Sequence, residues 1–326
     1  MASIPVPMLI KYTIGKYSFL AHEGDIDHFN RGFFFNNDDF LRSRPVKGRL
    51  IHFELRNEFG EMTARMNVSV LGNIAYSPWK APFGSVECFL EVESNMLIEY
   101  MEGIFESLKS LDIIEFRIIH YPDLYDVKTT KKVDQVLIKS NFDREVDEWN
   151  QHLIIGQAGF EQQILYSQRK RLKKCQRSGF TTKMEDIRSL SEAYELLTDS
   201  RERKNYPITM SFEELSEMFE IHPSRYLLFA VRDEQKMVAM AISILISPEI
   251  IYNFYHADHS EYGSFSPTVL AVGAVYEYCQ QQGIDYIDLG ISSLNGELNE
   301  GIYRFKKGLG AIDGIKRKYV WHSTER

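Results

Sequence analysis

Apolar and polar positions recur with readable periods along most of this 326-residue chain. Across Arg49–Asn57, Ile51, Phe53 and Leu55 alternate with Leu50, His52 and Glu54, the period of a half-buried strand. Glu58-Phe-Gly-Glu supplies a turn, and Met66–Tyr76 predicts a further strand. Upstream, Asp25–Arg42 predicts one or two helices anchored by Phe29, Phe33, Phe34, Phe35, Phe40 and Leu41. Ser77–Gly84 carries two prolines and a glycine and reads as a loop. Over Glu93–Leu108, Leu97, Met101, Phe105 and Leu108 form a stripe at helical spacing, widened by Tyr100 and Ile104. Ile113–His120, Val133–Ile138 and Gln151–Ile155 read as strands. A helix over Phe160–Ser178 stops at Gly179, a residue suited to the left-handed conformation.

The pattern continues with a strand at Phe180–Glu185 and a helix at Ser189–Lys204. Ser211 and Glu214 form a capping box that opens a helix at Phe212–Phe219. Tyr226–Val231, Met237–Ile246 and Ile250–Ala257 predict a three-strand meander. Ser266 as N-cap and Pro267 at the first helical position start a helix that runs to Gln281 and stops at Gly283. A strand at Tyr286–Ile291, a helix at Ile302–Leu309 and a strand at Lys316–His322 finish the pattern.

Two stretches of this pattern match. Asp112-Ile-Ile-Glu-Phe-Arg-Ile118 and Asp285-Tyr-Ile-Asp-Leu-Gly-Ile291 align at an offset of 173 residues, acid on acid and apolar on apolar. The same offset sets Ser94 against Pro267, both at helix starts. Each half reads as strand pair, loop, amphipathic helix, strand. The expected class is α/β (α+β), with two tandem domains at 1–150 and 151–326, each a mixed, mostly antiparallel sheet flanked by helices.

Composition narrows the functional classes. Length fits about two domains, and 44% hydrophobic residues give each a core. No apolar run approaches the ~20 residues that span a bilayer. The amino terminus lacks the basic and apolar regions of a secretory signal. Cys88, Cys175 and Cys279 are odd in number and widely spaced, which excludes a disulfide framework and fits a reducing, cytoplasmic compartment. His256 and His259 have no second ligand pair, so no metal is expected. A net charge of −8 excludes generic DNA binding and leaves polyanion contact to a local patch.

The order of elements in the second half is that of a GNAT-type acyltransferase domain. The chain resembles the FemAB-like (FemABX) branch, in which two GNAT-like domains share one chain. The residues that carry this resemblance are Tyr76-Ser-Pro-Trp-Lys-Ala-Pro-Phe-Gly84, Arg169-Lys-Arg-Leu-Lys-Lys-Cys-Gln-Arg-Ser-Gly179, Asp288-Leu-Gly290 and Tyr303-Arg-Phe-Lys-Lys-Gly-Leu-Gly310. It covers about residues 25–320. The resemblance implies a bacterial enzyme that moves an aminoacyl group from aminoacyl-tRNA to an amine of a peptidoglycan precursor. The wider group contains other acyltransferases whose donors the resemblance does not fix, and acyl-CoA is the alternative donor for this chain.

The resemblance also assigns roles. Lys306 of the Phe305-Lys306 pair matches a lysine that stabilises negative charge on the transferring ester. Chemically, a fixed cation lowers the barrier to a tetrahedral oxyanion. Arg201 and Tyr206, with Arg203 close behind, match residues that contact acceptor phosphates. Read from the residues rather than the resemblance, Tyr255 and His256 close the meander towards the same groove, where His256 either accepts the amine proton or is a satisfied strand-end histidine. Trp79 either lines the acceptor site or packs at a domain interface. Arg169, Lys170, Lys173, Lys174 and Arg177, with Arg171, form a basic helix face opposite Ile164, Leu165, Leu172 and Cys175. That face either contacts tRNA or another polyanion or is simply solvated. Asp288 either caps or orients a sheet edge or acts as a catalytic carboxylate. The loop Asp258–Thr268 departs from the phosphate cradle of CoA-dependent GNATs: it has one glycine, Pro267 removes a donor, and Glu261 repels phosphate. A non-catalytic binding module on the same fold is the third alternative.

Overall fold

The computed structural model describes residues 9–24 and 29–323. Part of the helical expectation over Asp25–Arg42 falls on 25–28, outside the described residues. In chain order the first elements are β1 (Leu9–Ile14), β2 (Tyr17–Glu23), α1 (Asp38–Ser43), β3 (Arg49–Arg56), β4 (Met62–Leu71), β5 (Ile74–Ser77), β6 (Glu87–Cys88), α2 (Ser94–Lys109), β7 (Glu115–Ile119), α3 (Val127–Lys139) and β8 (Asp143–Ile154). There follow α4 (Phe160–Gln163), α5 (Tyr166–Arg177), β9 (Thr181–Glu185), α6 (Leu190–Lys204), α7 (Phe212–Ile221), β10 (Tyr226–Asp233), β11 (Lys236–Ser247), β12 (Ile250–Asp258) and α8 (Thr268–Gln282). The last are β13 (Tyr286–Ile291), the short hairpin β14 (Ser293–Leu294) and β15 (Glu297–Leu298), α9 (Glu300–Gly308) and β16 (Ile312–His322).

The chain divides into two compact units. One is Met1–Glu148 with Ile315–Arg326; the other is Trp149–Gly314. The division near 150 is close to the expected one, but the C-terminal segment, expected with the second half, groups with the first.

In the first unit the strands run β1-β2-β3-β4-β5-β7-β16. Neighbours are antiparallel except β5 and β7, which are parallel. One face buries Phe53, Met66 and Val68 against Tyr100 and Ile104 of α2. Tyr100 satisfies its hydroxyl by donating to the Phe53 carbonyl at 2.8 Å. In the second unit the order is β8-β13-β12-β11-β10-β9, again with one parallel pair, β12 with β13. There α8 buries Val269, Val272, Val275 and Tyr276 on the sheet. Both units therefore follow a meander with a helix and then a strand parallel to the meander's last strand. The aligned repeat segments fall on β7 and β13, and the fold class is the one expected.

Four local differences have clear causes. Val133–Ile138 is helical, not a strand: Thr129, Val133, Val136 and Leu137 are buried at helical spacing, and the Asp126 side chain caps the helix by accepting from the Thr129 amide. Met66–Tyr76 is split by a turn at Gly72, where φ is +61°. Phe160–Ser178 is broken at Ile164 and Leu165, both extended. Arg169 holds that break, donating to the Glu161 carbonyl at 2.8 Å and the Ile164 carbonyl at 3.1 Å. Finally, α8 begins at Thr268, with Pro267 rather than Ser266 in the N-cap position and no side-chain cap. Turns from His259 onward lead directly into it, and Ser266 sits at φ +54°.

Candidate functional site

β12 and β13 pair in parallel at Ile250–Tyr286, Ile251–Ile287 and Tyr252–Asp288, and among the described residues their pairing ends there. Irregularities fall on both strands at that point. β12 bulges between Asn253 and Tyr255 against β11, and β13 shifts register between Asp288 and Ile291 against β8. A cavity of about 630 Å³ lies where the strands part. Its walls come from the end of α6, the loop after it, β12, the start of α8, β13 and α9.

Lys306 lies on the wall contributed by α9. Ile302, Phe305, Lys306 and Leu309 share one helix stripe at i, i+3, i+4 and i+7, so the lysine occupies a position that normally faces a core. It is 3% exposed. Its Nζ donates to the Gly290 carbonyl at 2.7 Å and the Ile291 carbonyl at 2.8 Å. These are strand carbonyls that β12 no longer approaches. Burial pushes the ammonium down to about 7, and Asp288 opposes that shift. Asp288 is buried and accepts from the Asn150 amide and the Gly290 N–H, each at 2.7 Å. It therefore shapes the turn at Gly290, where φ is +73°, and presents both carbonyls to Lys306. Phe305 is half-buried beside it on the second unit's core.

The α6 side of the cavity is built around Arg201. Its Cζ stands 5.8 Å from the Tyr206 ring centroid and 5.4 Å from that of Tyr255. Burial lowers its pKa. Among the described residues no carboxylate pairs with it, so a cation between two rings faces the cavity without a protein anion. Tyr255 is buried, and its hydroxyl accepts from the Thr209 and Met210 amides at 3.0 and 3.2 Å. Tyr206 accepts from Asn299 at 2.9 Å, while the other end of that amide caps α9. His256 is half-buried on the cavity wall and is held down to about 3, first by burial and then by Arg201, Lys306 and Lys204. It is neutral at pH 7 and a poor proton acceptor.

Other candidates are placed elsewhere. Arg203 donates to the Asp258 carbonyl at 2.9 Å, and Lys204 pairs with the Asp258 carboxylate. Trp79 belongs to the first unit, half-buried with its ring 5.1 Å from that of Tyr76. On α5, Arg169 closes the α4–α5 break, Lys173 pairs with Glu161 at 2.7 Å, and Lys174 donates to the Ser264 carbonyl. Lys170 lies over the Tyr166 ring, and Arg177 is exposed. The face opposite Leu172 and Cys175 is therefore mostly engaged in local contacts. Asn150, Asn253 and Asn299 were not anticipated. Asn299 could have been found as an N-cap residue before an apolar stripe; the other two belong to strand interiors and carry no local signal.

Residues 162–307, inside the second unit and reaching through Lys306, match the family model of the acetyltransferase (GNAT) domain. No match was found among curated protein sequences. Among solved structures, the chain is similar to FemX, with a TM-score of 0.69 and 13% identity over 93% of each chain. It is also similar to a tandem GNAT protein from the clavulanic acid biosynthesis pathway, with a TM-score of 0.53 and 9% identity over 87% of this chain and 86% of that one. L-PGS from Bacillus licheniformis gives a TM-score of 0.52 and 11% identity over 83% of each chain. At these identities the likeness is one of fold. In fold the chain is like FemX and the tandem GNAT protein, and the GNAT match lies within its second unit. Among the described residues no helix is long and apolar enough to cross a membrane, and no cluster suited to a metal is present.

Proposed function

We propose that the protein is an acyltransferase that moves an acyl or aminoacyl group from an ester or thioester onto an amine, within the cavity of the second unit. The observation that carries this reading is the buried Lys306 on the wall of an open cavity, at the parting strands of a GNAT domain. The substrate amine is itself the nucleophile, so no nucleophilic side chain is required. The protein supplies position and a cation near the developing oxyanion. Arg201, a cation facing the same cavity, is suited to an anionic group on donor or acceptor.

Two donors fit. The likeness to FemX in fold favours an aminoacyl ester, with aminoacyl-tRNA as donor. The match to an acetyltransferase domain favours acyl-CoA. Against CoA stands the start of α8, where Pro267 removes an amide donor; the neighbouring Glu261 is paired with Lys236. The experiment offers aminoacyl-tRNA, acetyl-CoA and longer acyl-CoA to the purified chain with a panel of amines. Transfer by the wild type and its loss in Lys306→Ala, with the fold retained by circular dichroism, is expected. Binding without transfer to any amine would replace the enzyme with a non-catalytic module, and full activity in Lys306→Ala would remove that lysine from the chemistry.

A further inference from the structure

Aminolysis has a proton to dispose of. The amine attacks through its lone pair, and its nitrogen must then shed a proton for the product amide to form. The cavity offers few acceptors. His256 is held to about 3 and binds a proton too weakly. Asp258 is engaged by Lys204 and Arg203. The Tyr255 hydroxyl is occupied by two amides and lies 2.7 Å from the Thr209 hydroxyl. Burial and Asp288 move the Tyr252 hydroxyl well up. Arg201 does not give up its proton in a protein.

Lys306 is placed differently. A neutral amine has two hydrogens, and the two carbonyls at 2.7 and 2.8 Å take both. The remaining tetrahedral position is then a lone pair, on a residue that lines the cavity. Burial favours that form, and among the charged groups around it Asp288 opposes it. Asp288 of β13 is engaged by Asn150 and Gly290; Arg201 of α6 faces the same cavity; Arg304 and Lys307 of α9 pair with Glu300 and Asp313. Burial brings the amine to about 7, where both forms are populated.

We propose that Lys306 is a proton shuttle, whose neutral amine takes the proton from the attacking nitrogen and returns it to the leaving oxygen or sulfur. The inference rests on the acyl-transfer reading. As the N–C bond forms, the carbonyl pair moves onto oxygen and the proton moves from the substrate nitrogen to Nζ. Lys306 becomes an ammonium as the oxyanion appears, so the stabilising charge is delivered by the nucleophile itself. When the C–O or C–S bond breaks, the oxyanion pair re-forms the carbonyl and Nζ returns its proton to the departing atom. Protons and electron pairs balance without a further reactant.

The first test needs no substrate and uses the wild-type chain. Competitive labelling with acetic anhydride from pH 5 to 10, read by peptide mass spectrometry, gives a midpoint for each lysine. Lys306 is expected to titrate near 7, well below Lys128, which its pairing with Glu91 holds above the ordinary lysine value. A midpoint in the ordinary lysine range, or no labelling at any pH, overturns the proposal. The second test uses Lys306→Arg, which keeps a cation but cannot accept a proton. It should lose about 100-fold or more in kcat/KM. Activity within about ten-fold of wild type would leave a static cation and overturn the shuttle while the transferase stands. A wild type that transfers nothing overturns the transferase reading, and the shuttle with it, whatever the labelling midpoint.

Discussion

Replacing Lys306 with methionine isolates the amine, because the stem volume is nearly conserved. In the folded protein Lys306 titrates near 7, against an ordinary 10.5. The unfolded chain therefore binds more protons between these values, and wild-type stability rises with pH across that window. Below pH 7 the full penalty applies, about 5 kcal/mol. At pH 6 it remains close to that figure, and at pH 10 it has fallen to about 1 kcal/mol. The variant removes this dependence. It also leaves the Gly290 and Ile291 carbonyls without their donor, a cost of about 1–3 kcal/mol each that does not vary with pH. The stability difference between variant and wild type should thus change by about 4 kcal/mol between pH 6 and 10, with the variant relatively favoured at pH 6.

Urea unfolding of both proteins at intervals over that range measures the difference, and every other titrating group cancels to first order. A difference constant to within about 1 kcal/mol would mean that the buried amine titrates as an ordinary lysine. The electrostatic reasoning for Lys306 would then be wrong, whatever the enzyme does.

Two further perturbations address how that amine is held. Asp288→Asn removes the carboxylate that opposes the burial effect, so the labelling midpoint of Lys306 should move further down; an upward movement would contradict the assignment. Gly290→Ala places a side chain at φ +73° with its Cβ 3.3 Å from the Tyr252 ring, and should cost about 1–2 kcal/mol in urea unfolding, with an accompanying change in the Lys306 midpoint; an unaltered midpoint would mean the turn does not set the amine's position.

Much of the second unit's scaffold was legible because its elements have strong local signals. The capping box at Ser211 and Glu214 forms, Gly283 ends α8 at φ +72°, and β13 spans Tyr286–Ile291 as its alternation indicates. One error arose because short apolar runs do not reveal their period. Six residues at Val133–Ile138, rich in β-branched side chains, look like a strand until Thr129 is added to the stripe. The continuous helix expected across Ile164 failed because nothing local announces that Leu165 will bond to the Gly308 carbonyl. The apolar stripe it shares with Ile302, Phe305 and Leu309 was not used, and Lys306 itself was legible by resemblance alone. Its setting was not, since the two carbonyls depend on where β12 stops pairing with β13.

The repeat explains why only the second unit has this setting. At the same offset of 173, Lys306 corresponds to Val133, Asp288 to Glu115 and Gly290 to Arg117. α3 follows β7 as α9 follows β13, so the helix over Val133 was implied by the repeat even where its own sequence misled. Val133 is 2% exposed and belongs to the first unit's core. Glu115 pairs with Arg117 along the strand instead of shaping a turn. The strand pairing differs in step. β5 and β7 stay paired from Ile74–Glu115 through Ser77–Ile118, whereas β12 and β13 end their pairing at Asp288, the counterpart of Glu115. A closed parallel pair has no free carbonyls for a lysine to bind, and a buried lysine there would have no partner. An apolar valine suits the closed copy and a lysine the open one. The parting of the strands and the cation beside it are thus one feature, present in the copy whose residues 162–307 match the GNAT domain family.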